Sequence, residues 1–252
     1  MRKTLLILSI LAQAQLFGQA VPNGGFESWT STPYNEVSGW YSSNPQSLSM
    51  MGIANVTKVT GFSGSAVHLQ TYISGQDSNF AYVSNSPGDP TQGQGGVPYS
   101  QKPTGITGYY RYNLPVHDSA LLLVIFKKSG SIINTYIFKI HGTGSLTTFT
   151  SFNYTFTPAL TITPDSIIVA AASSNAIQNI GVQNGSWLEI DQLAFAGATQ
   201  AIPGGNFDTW NSFAFDSPNG WQVETNGKGT SGVSKTTSSY SGTYALSLVS
   251  QS

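Results

Sequence analysis

Residues 107–156 read TGYYRYNLPVHDSALLLVIFKKSGSIINTYIFKIHGTGSLTTFTSFNYTF, and the spacing of apolar and polar residues in this stretch decides the fold. Four runs, 107–113, 119–127, 132–140 and 148–156, are rich in Val, Ile, Thr, Tyr and Phe. Clusters of Gly, Pro, Asn, Asp and Ser part them, as turns part strands. Working outward, the same signature recurs at 66–72 (AVHLQTY), 79–84, 166–172 (SIIVAAA) and 187–195 (WLEIDQLAF), with edge strands expected near 25–29, 38–41 and 55–60. Segment 85–105 carries four prolines and reads as a long loop. Beyond the first twenty residues no window of a dozen shows apolar spacing at i, i+3, i+4 and i+7, so helix is not expected. Eight to eleven strands in one unit imply two packed antiparallel sheets, because a single sheet that wide leaves an apolar face in water. The expected fold is all-β, a jelly-roll β-sandwich.

Alternation along each strand sorts side chains onto faces. Tyr110, Tyr112 and Leu114 share one side, while Tyr109, Arg111 and Asn113 share the other. Tyr136, Phe138 and Ile140 oppose Ile137, Lys139 and His141; Val67 and Leu69 oppose His68 and Gln70. Charged residues are 8% of the chain against about 25% in an average domain. Arg111, Lys139 and His141 on outward faces therefore stand out. Their plainer role is to keep an exposed face soluble and its edges unpaired.

The opening MRKTLLILSILAQAQLFGQA has a positive start, a short apolar core and a small-residue exit at Gly18 and Ala20. That is the pattern of an export leader over residues 1–20. The apolar run is too short for a spanning helix, which needs about 20 residues. AVPNGGFESW at 20–29 matches AIPGGNFDTW at 201–210, and Gly39-Trp40 matches Gly220-Trp221 at the same offset of 181. VTKVTGFSGSAVHL at 56–69 matches VSKTTSSYSGTYALSL at 233–248 with slight slippage. The expected organisation is one module at 21–197, then a linker and the opening fragment of a second, tandem module at 198–252. A fragment of two or three strands does not fold alone, so 200–252 is expected to lean on the first module or to pack poorly.

A net charge of −1 excludes a nucleic-acid binder working through a basic face. The absence of cysteine excludes a disulfide scaffold and thiolate zinc sites. With 39% hydrophobic and 12% aromatic residues the chain buries a core, so global disorder is excluded too. His68, His117 and His141 show no paired spacing for a metal site or triad, no G-x-S-x-G elbow is present, and GQGG at 93–96 reads as a turn.

PNGGFESW, the following Gly-Trp, the SGSAVHL block and the closing GSWLEIDQLAF together resemble jelly-roll carbohydrate-binding modules of the family 4/9 type. GYYRYNLP, the apolar strand after Asp118, Ser151-Phe152 and PDSIIVAAASS are similar to the carbohydrate metabolism domain of secreted surface proteins of gliding-type bacteria. The resemblance covers about 175 residues. It implies a non-catalytic sandwich module of a larger exported protein. It also implies that Glu27, in the opening motif, and Asp191, in the closing strand, contribute to a structural calcium site. Calcium takes six to eight hard oxygens, and carboxylates in otherwise apolar strands need a partner. The alternative is that Glu27 caps backbone donors and Asp191 is exposed.

Carbohydrate recognition stacks sugar faces on aromatic rings while polar side chains read hydroxyls. The candidates are Tyr109, Arg111, Lys139, His68 and Gln70, with Trp187 open to either role and Trp29 and Trp40 assigned to packing. Glu189 and Asp191 share a strand face about 7 Å apart, near the carboxylate spacing of glycosidases. Such a pair without a cleft signature more often binds a cation or solvent. The sequence thus leads to an exported, non-catalytic glycan-binding module for a polysaccharide, without nucleic acid or membrane insertion, monomeric within a longer chain. A structural or adhesive repeat is the alternative, and a glycoside hydrolase the third.

Overall fold

The computed structural model describes residues 20–141, 144–223 and 232–249. The expected leader, Ala20 apart, lies outside them. In chain order the strands are β1 (Trp29–Val37), β2 (Tyr41–Ser42), β3 (Val56–Thr60), β4 (Ser65–Gln70), β5 (Tyr72–Ser74), β6 (Asp77–Asn79), β7 (Tyr82–Ser84) and β8 (Val97–Pro98). They continue with β9 (Gly105–Leu114), β10 (Ser119–Lys128), β11 (Ser131–His141), β12 (Gly144–Thr155), β13 (Ser166–Ala172), β14 (Trp187–Ala196), β15 (Trp210–Pro218), β16 (Gly232–Thr236) and β17 (Ala245–Val249). Two antiparallel sheets face each other. One runs β11-β10-β13-β7-β2, with β8 also on β13; the other runs β12-β9-β14-β4-β3. The protein is an all-β jelly-roll sandwich.

Period-two alternation builds its core. Leu122, Val124 and Phe126 of β10 point inward with Ile167 and Val169 of β13. They meet Val67, Leu69, Ile106, Leu188 and Ile190 from the five-stranded sheet. β10 is apolar on its other face as well. Leu123 and Ile125 cluster there with Ile168 and Ala170. The expected long loop is pinned down near this face: Lys127 Nζ, 7% exposed, donates to the carbonyls of Gly93 and Gly95 at 2.7 and 2.6 Å.

One α-helix, α1 (Asn44–Met51), was not expected from the sequence. Pro45 opens it and Gly52, left-handed at φ 69°, closes it. Its buried residues are Asn44, Ser47 and Leu48, so it has no apolar period to detect. Asn44 instead imitates a strand, accepting from Val56 N and donating to Val56 O, both at 2.8 Å. Asn79 reaches Ser47 and Ser43 reaches Asn55 in the same buried network. Fully paired polar groups of this kind hold an element as firmly as apolar packing does.

The module boundary expected at 197 divides residues that share one core. The short link 197–200 turns the chain back onto β14, where Leu193 N donates to Gly205 O at 2.7 Å. Ile202 and Phe207, 3% and 0% exposed, then belong to the main core. Further on, β15 pairs with β1 and β16 with β17, and Tyr240, Leu248 and Val249 of this last region stay exposed. No helix among the described residues is long and apolar enough to cross a membrane.

Candidate functional site

The outward face of the five-stranded sheet assembles one side chain per strand. Thr57 lies opposite His68, His68 opposite Glu189, and Glu189 opposite Arg111, giving a single row across β3, β4, β14 and β9. The next row along holds Gln70, Trp187 and Asn113; the row on the other side pairs Asp191 with Tyr109. Directly opposed side chains are close enough to interact, so the register alone brings these groups together.

Glu189 is the centre of the row. Its side chain is 7% exposed, and it receives Arg111 Nε on one oxygen while His68 Nδ1 lies 2.9 Å from the other. The other ring nitrogen of His68 lies 3.3 Å from Gln70 Oε1, which also accepts the Tyr72 hydroxyl at 3.2 Å. Burial on its own raises a carboxylate pKa. Here the hydrogen bonds from His68 and Arg111 and the Arg111 charge outweigh it, and Glu189 is held below its ordinary value. Rings flank this polar row. Phe62 stacks on Tyr109 with centroids 3.7 Å apart and planes within 8°. The Arg111 guanidinium lies 4.7 Å over Phe149, and Trp187 tilts against His68 at 5.6 Å. An arginine between a ring and a carboxylate presents its remaining N–H donors in a fixed direction.

Four of the five residues expected to contact ligand therefore lie on one face: Tyr109, Arg111, His68 and Gln70. Lys139 does not. It belongs to β11 of the six-stranded sheet, where its ammonium donates to Gln178 Oε1 at 2.7 Å. Alternation assigned its side of the strand correctly, but which sheet a strand joins is a long-range property. Three contributors escaped the sequence reading. Phe62 sits in the turn between β3 and β4; Phe149 sits where the β12 register shifts between Leu146 and Thr150; and the role of Glu189 as an anchor for Arg111 needed the strand order.

The residues expected to hold calcium do not come together. Glu27 is exposed and accepts Thr243 N at 2.9 Å and Tyr244 N at 3.4 Å. Asp191 is fully buried and accepts Ser63 N and Gln192 N at 3.0 and 2.7 Å. Glu27 precedes β1 and Asp191 neighbours Asp208, which precedes β15; the two strands are antiparallel, so the acids lie at opposite ends of a ribbon about 30 Å long. Burial raises the Asp191 pKa, while backbone N–H groups of Ser63, Gln192 and Phe62 oppose the rise. N–H donors occupy the oxygens a cation would need, so this pair does not fit a calcium ion. No group of three or more metal-ligating side chains occurs among the described residues.

The outward face of the six-stranded sheet differs in character. Leu121, Leu123, Ala170 and Ala172 line a hollow of about 310 Å³ with Tyr82 and Pro90. Asp89 is the one charged residue in that lining, and no arginine or lysine stands opposite it there.

Fold and face together define a jelly-roll sandwich with one decorated outer sheet. No protein-family model matches the sequence, and no curated protein does. Among solved structures the chain is similar to a glycoside-hydrolase candidate from Bacteroides thetaiotaomicron, with TM-score 0.49 and 13% identity over 64% of this chain and 63% of that one. It is also similar to a family 28 carbohydrate-binding module specific for non-crystalline cellulose, with TM-score 0.38 and 10% identity over 63% and 87%. A third is the family 11 carbohydrate-binding module of a cellulosomal cellulase of Clostridium thermocellum, with TM-score 0.34 and 13% identity over 68% and 88%. Each of these is a likeness of fold.

Proposed function

We propose that the outward face of the five-stranded sheet binds a glycan and that the protein is an exported, non-catalytic recognition module. One observation carries the reading: aromatic platforms and anchored polar groups alternate along a single sheet face, from Phe62 and Tyr109 through Arg111 and Glu189 to His68, Gln70 and Trp187. Sugar rings present apolar faces that stack on such platforms and hydroxyls that pair with such groups. Catalysis is not part of the reading. Glu189 is engaged on both oxygens and Asp191 is fully buried with backbone donors on both of its own, so neither carboxylate is free to exchange a proton with substrate.

The test is affinity electrophoresis of the full chain against a panel of soluble polysaccharides. Retention by at least one of them, weakened in Tyr109→Ala and in Arg111→Ala, is the expected result. Retention unchanged in both variants removes the site, and no retention by any polysaccharide removes the function. In that case a structural or adhesive role stands, favoured by the β1–β15 ribbon that ties two distant parts of the chain together.

A further inference from the structure

The stretches 20–29 and 201–210 match in conformation as well as sequence, and each sits among the other's neighbours. Phe26 and Phe207 are both left-handed, at φ 56° and 53°. The indoles of Trp29 and Trp210 donate to the carbonyls of Phe26 and Phe207 respectively. The contacts then cross over. Trp40 Nε1 donates to Pro203 O and Trp221 Nε1 to Pro22 O, both at 3.0 Å. Trp40 packs on Phe207 with centroids 5.1 Å apart, and Trp221 on Phe26 at 5.2 Å. Asp208 accepts Ser65 N and Glu27 accepts Thr243 N, both at 2.9 Å. The turn glycines beneath them, Gly64 and Gly242, are left-handed at φ 64° and 82°, and a Cβ on either would strike the carboxylate.

The ribbon that joins these contacts is symmetric. β1 pairs with β15 from Trp29 opposite Pro218 to Val37 opposite Trp210, about a centre at Pro33 opposite Ala214. At the offset of 181 between the matching stretches, Pro33 and Ala214 are the same position, so the pairing is isologous. Applied within one stretch, the same register joins Trp29 to Val37 and Thr30 to Glu36, closing a hairpin over Thr32-Pro33-Tyr34. Proline suits that turn better than the middle of a ladder, where its missing N–H costs a hydrogen bond.

We infer that residues 29–37 are a hinge, and that the opening segment 20–28 is exchanged with the opening segment of another copy of the same module. Here that copy is the 201–218 stretch of the same chain. In the closed form, 20–28 fills the seat formed by Trp40 and the Ser65 turn. In the exchanged form, 201–209 fills it, and the ribbon becomes the coupling surface between two copies. The first seat is fully occupied, with Phe207 and Ile202 buried. The second is half built, with Val21 60% and Trp221 42% exposed. The partner this surface fits is therefore a second copy of the module. The inference does not depend on glycan binding.

The chain has no cysteine, so two introduced thiols have only each other. In the full chain, Ser65→Cys with Asp208→Cys is expected to form a disulfide within one molecule, while Glu27→Cys with Ser65→Cys stays reduced. Inserting Asn-Gly after Pro33 supplies a favoured hairpin turn. The Glu27 pair is then expected to close and the Asp208 pair to open. If the insertion leaves the Asp208 disulfide in place and the Glu27 thiol free, 201–209 is a fixed part of the sandwich and the inference is wrong. The unmodified hinge gives a second readout should the insertion fail to fold. Refolding the Ser65→Cys, Asp208→Cys chain at concentrations approaching the millimolar effective concentration of a short tether is expected to yield disulfide-linked dimers. A purely monomeric disulfide at every concentration overturns exchange.

Discussion

The two outer faces of the sandwich are built from the same kind of strand and carry different side chains. On the six-stranded side, Leu123, Ile125, Ile168 and Ala170 make a second apolar cluster, and Lys127 ties the glycine turns at 93 and 95 down close by. On the five-stranded side the equivalent positions carry His68, Glu189, Arg111 and Tyr109. In a chain with only ten basic and eleven acidic residues, an arginine and a glutamate set side by side on one sheet face are conspicuous. One outer face is a packed apolar surface, and the other is the face proposed to meet a glycan. Substitutions that split the two properties test this division.

The largest effect is expected on the apolar face. Ile125→Ala removes a side chain 2% exposed and should cost about 3 kcal/mol, since large-to-small changes in packed clusters fall in that range. For a chain of this size that lowers the melting temperature by about 6 to 12 °C, with polysaccharide retention at 25 °C unchanged. Loss of retention in the folded variant would join the two faces into one functional unit. Glu189→Gln comes next. It strips the charge that holds Arg111 and His68 and should weaken retention about tenfold while costing about 1 to 2 kcal/mol in urea unfolding. Tyr109→Ala should weaken retention about fivefold, the worth of one stacked ring, and cost about 1 kcal/mol in urea unfolding through the lost stack on Phe62.

Titration separates the regions again. Glu189 has a folded pKa below its unfolded one, so its contribution is present above about pH 4.5 and is lost as pH falls through the lower folded value. The gap in urea midpoint between the native chain and Glu189→Gln should narrow steadily as pH falls below about 4.5; a gap that stays constant across the acid range would show that packing, not charge, holds the ladder. Glu36, in β1, behaves oppositely. Burial pushes its carboxyl to about 7, against a lowering hydrogen bond from Ser42. Its favourable state is the protonated one, present below the ordinary carboxylate value and lost as pH rises through about 7. Glu36→Gln should therefore raise the melting temperature at pH 8 and do nothing at pH 4; equal effects at both would contradict the burial account. The smallest effect belongs to Lys139→Ala, which should leave retention unchanged because the lysine stands on the other sheet.

Much of this was legible from strand alternation. Tyr109 and Arg111, and likewise His68 and Gln70, could be paired on outward faces because side-chain direction has a period of two and is set locally. Lys139 was misgrouped because sheet membership depends on pairings far apart in sequence. The pairing of Glu27 with Asp191 failed for a related reason. The opening motif is written twice, and nothing in either copy says which seat it takes; Asp208 occupies the place expected for Glu27. Helix α1 was invisible because it buries asparagine and serine where a pattern search looks for leucine. Phe62 and Phe149 were missed because a turn and a register shift, where the period breaks, carry them.

Thr57, His68, Glu189 and Arg111 come from four strands, and their alignment exists only while each strand keeps its place against the next. A slip of one residue in β4, β14 or β9 turns its contribution into the core and brings Val67 or Leu69, Leu188 or Ile190, or Tyr110 or Tyr112 to the surface in its stead. The face is thus a checksum of correct folding: a misaligned molecule loses the proposed binding row and gains a sticky patch in the same step, so trapping on a polysaccharide that retains the native chain would sort well-formed molecules from slipped ones.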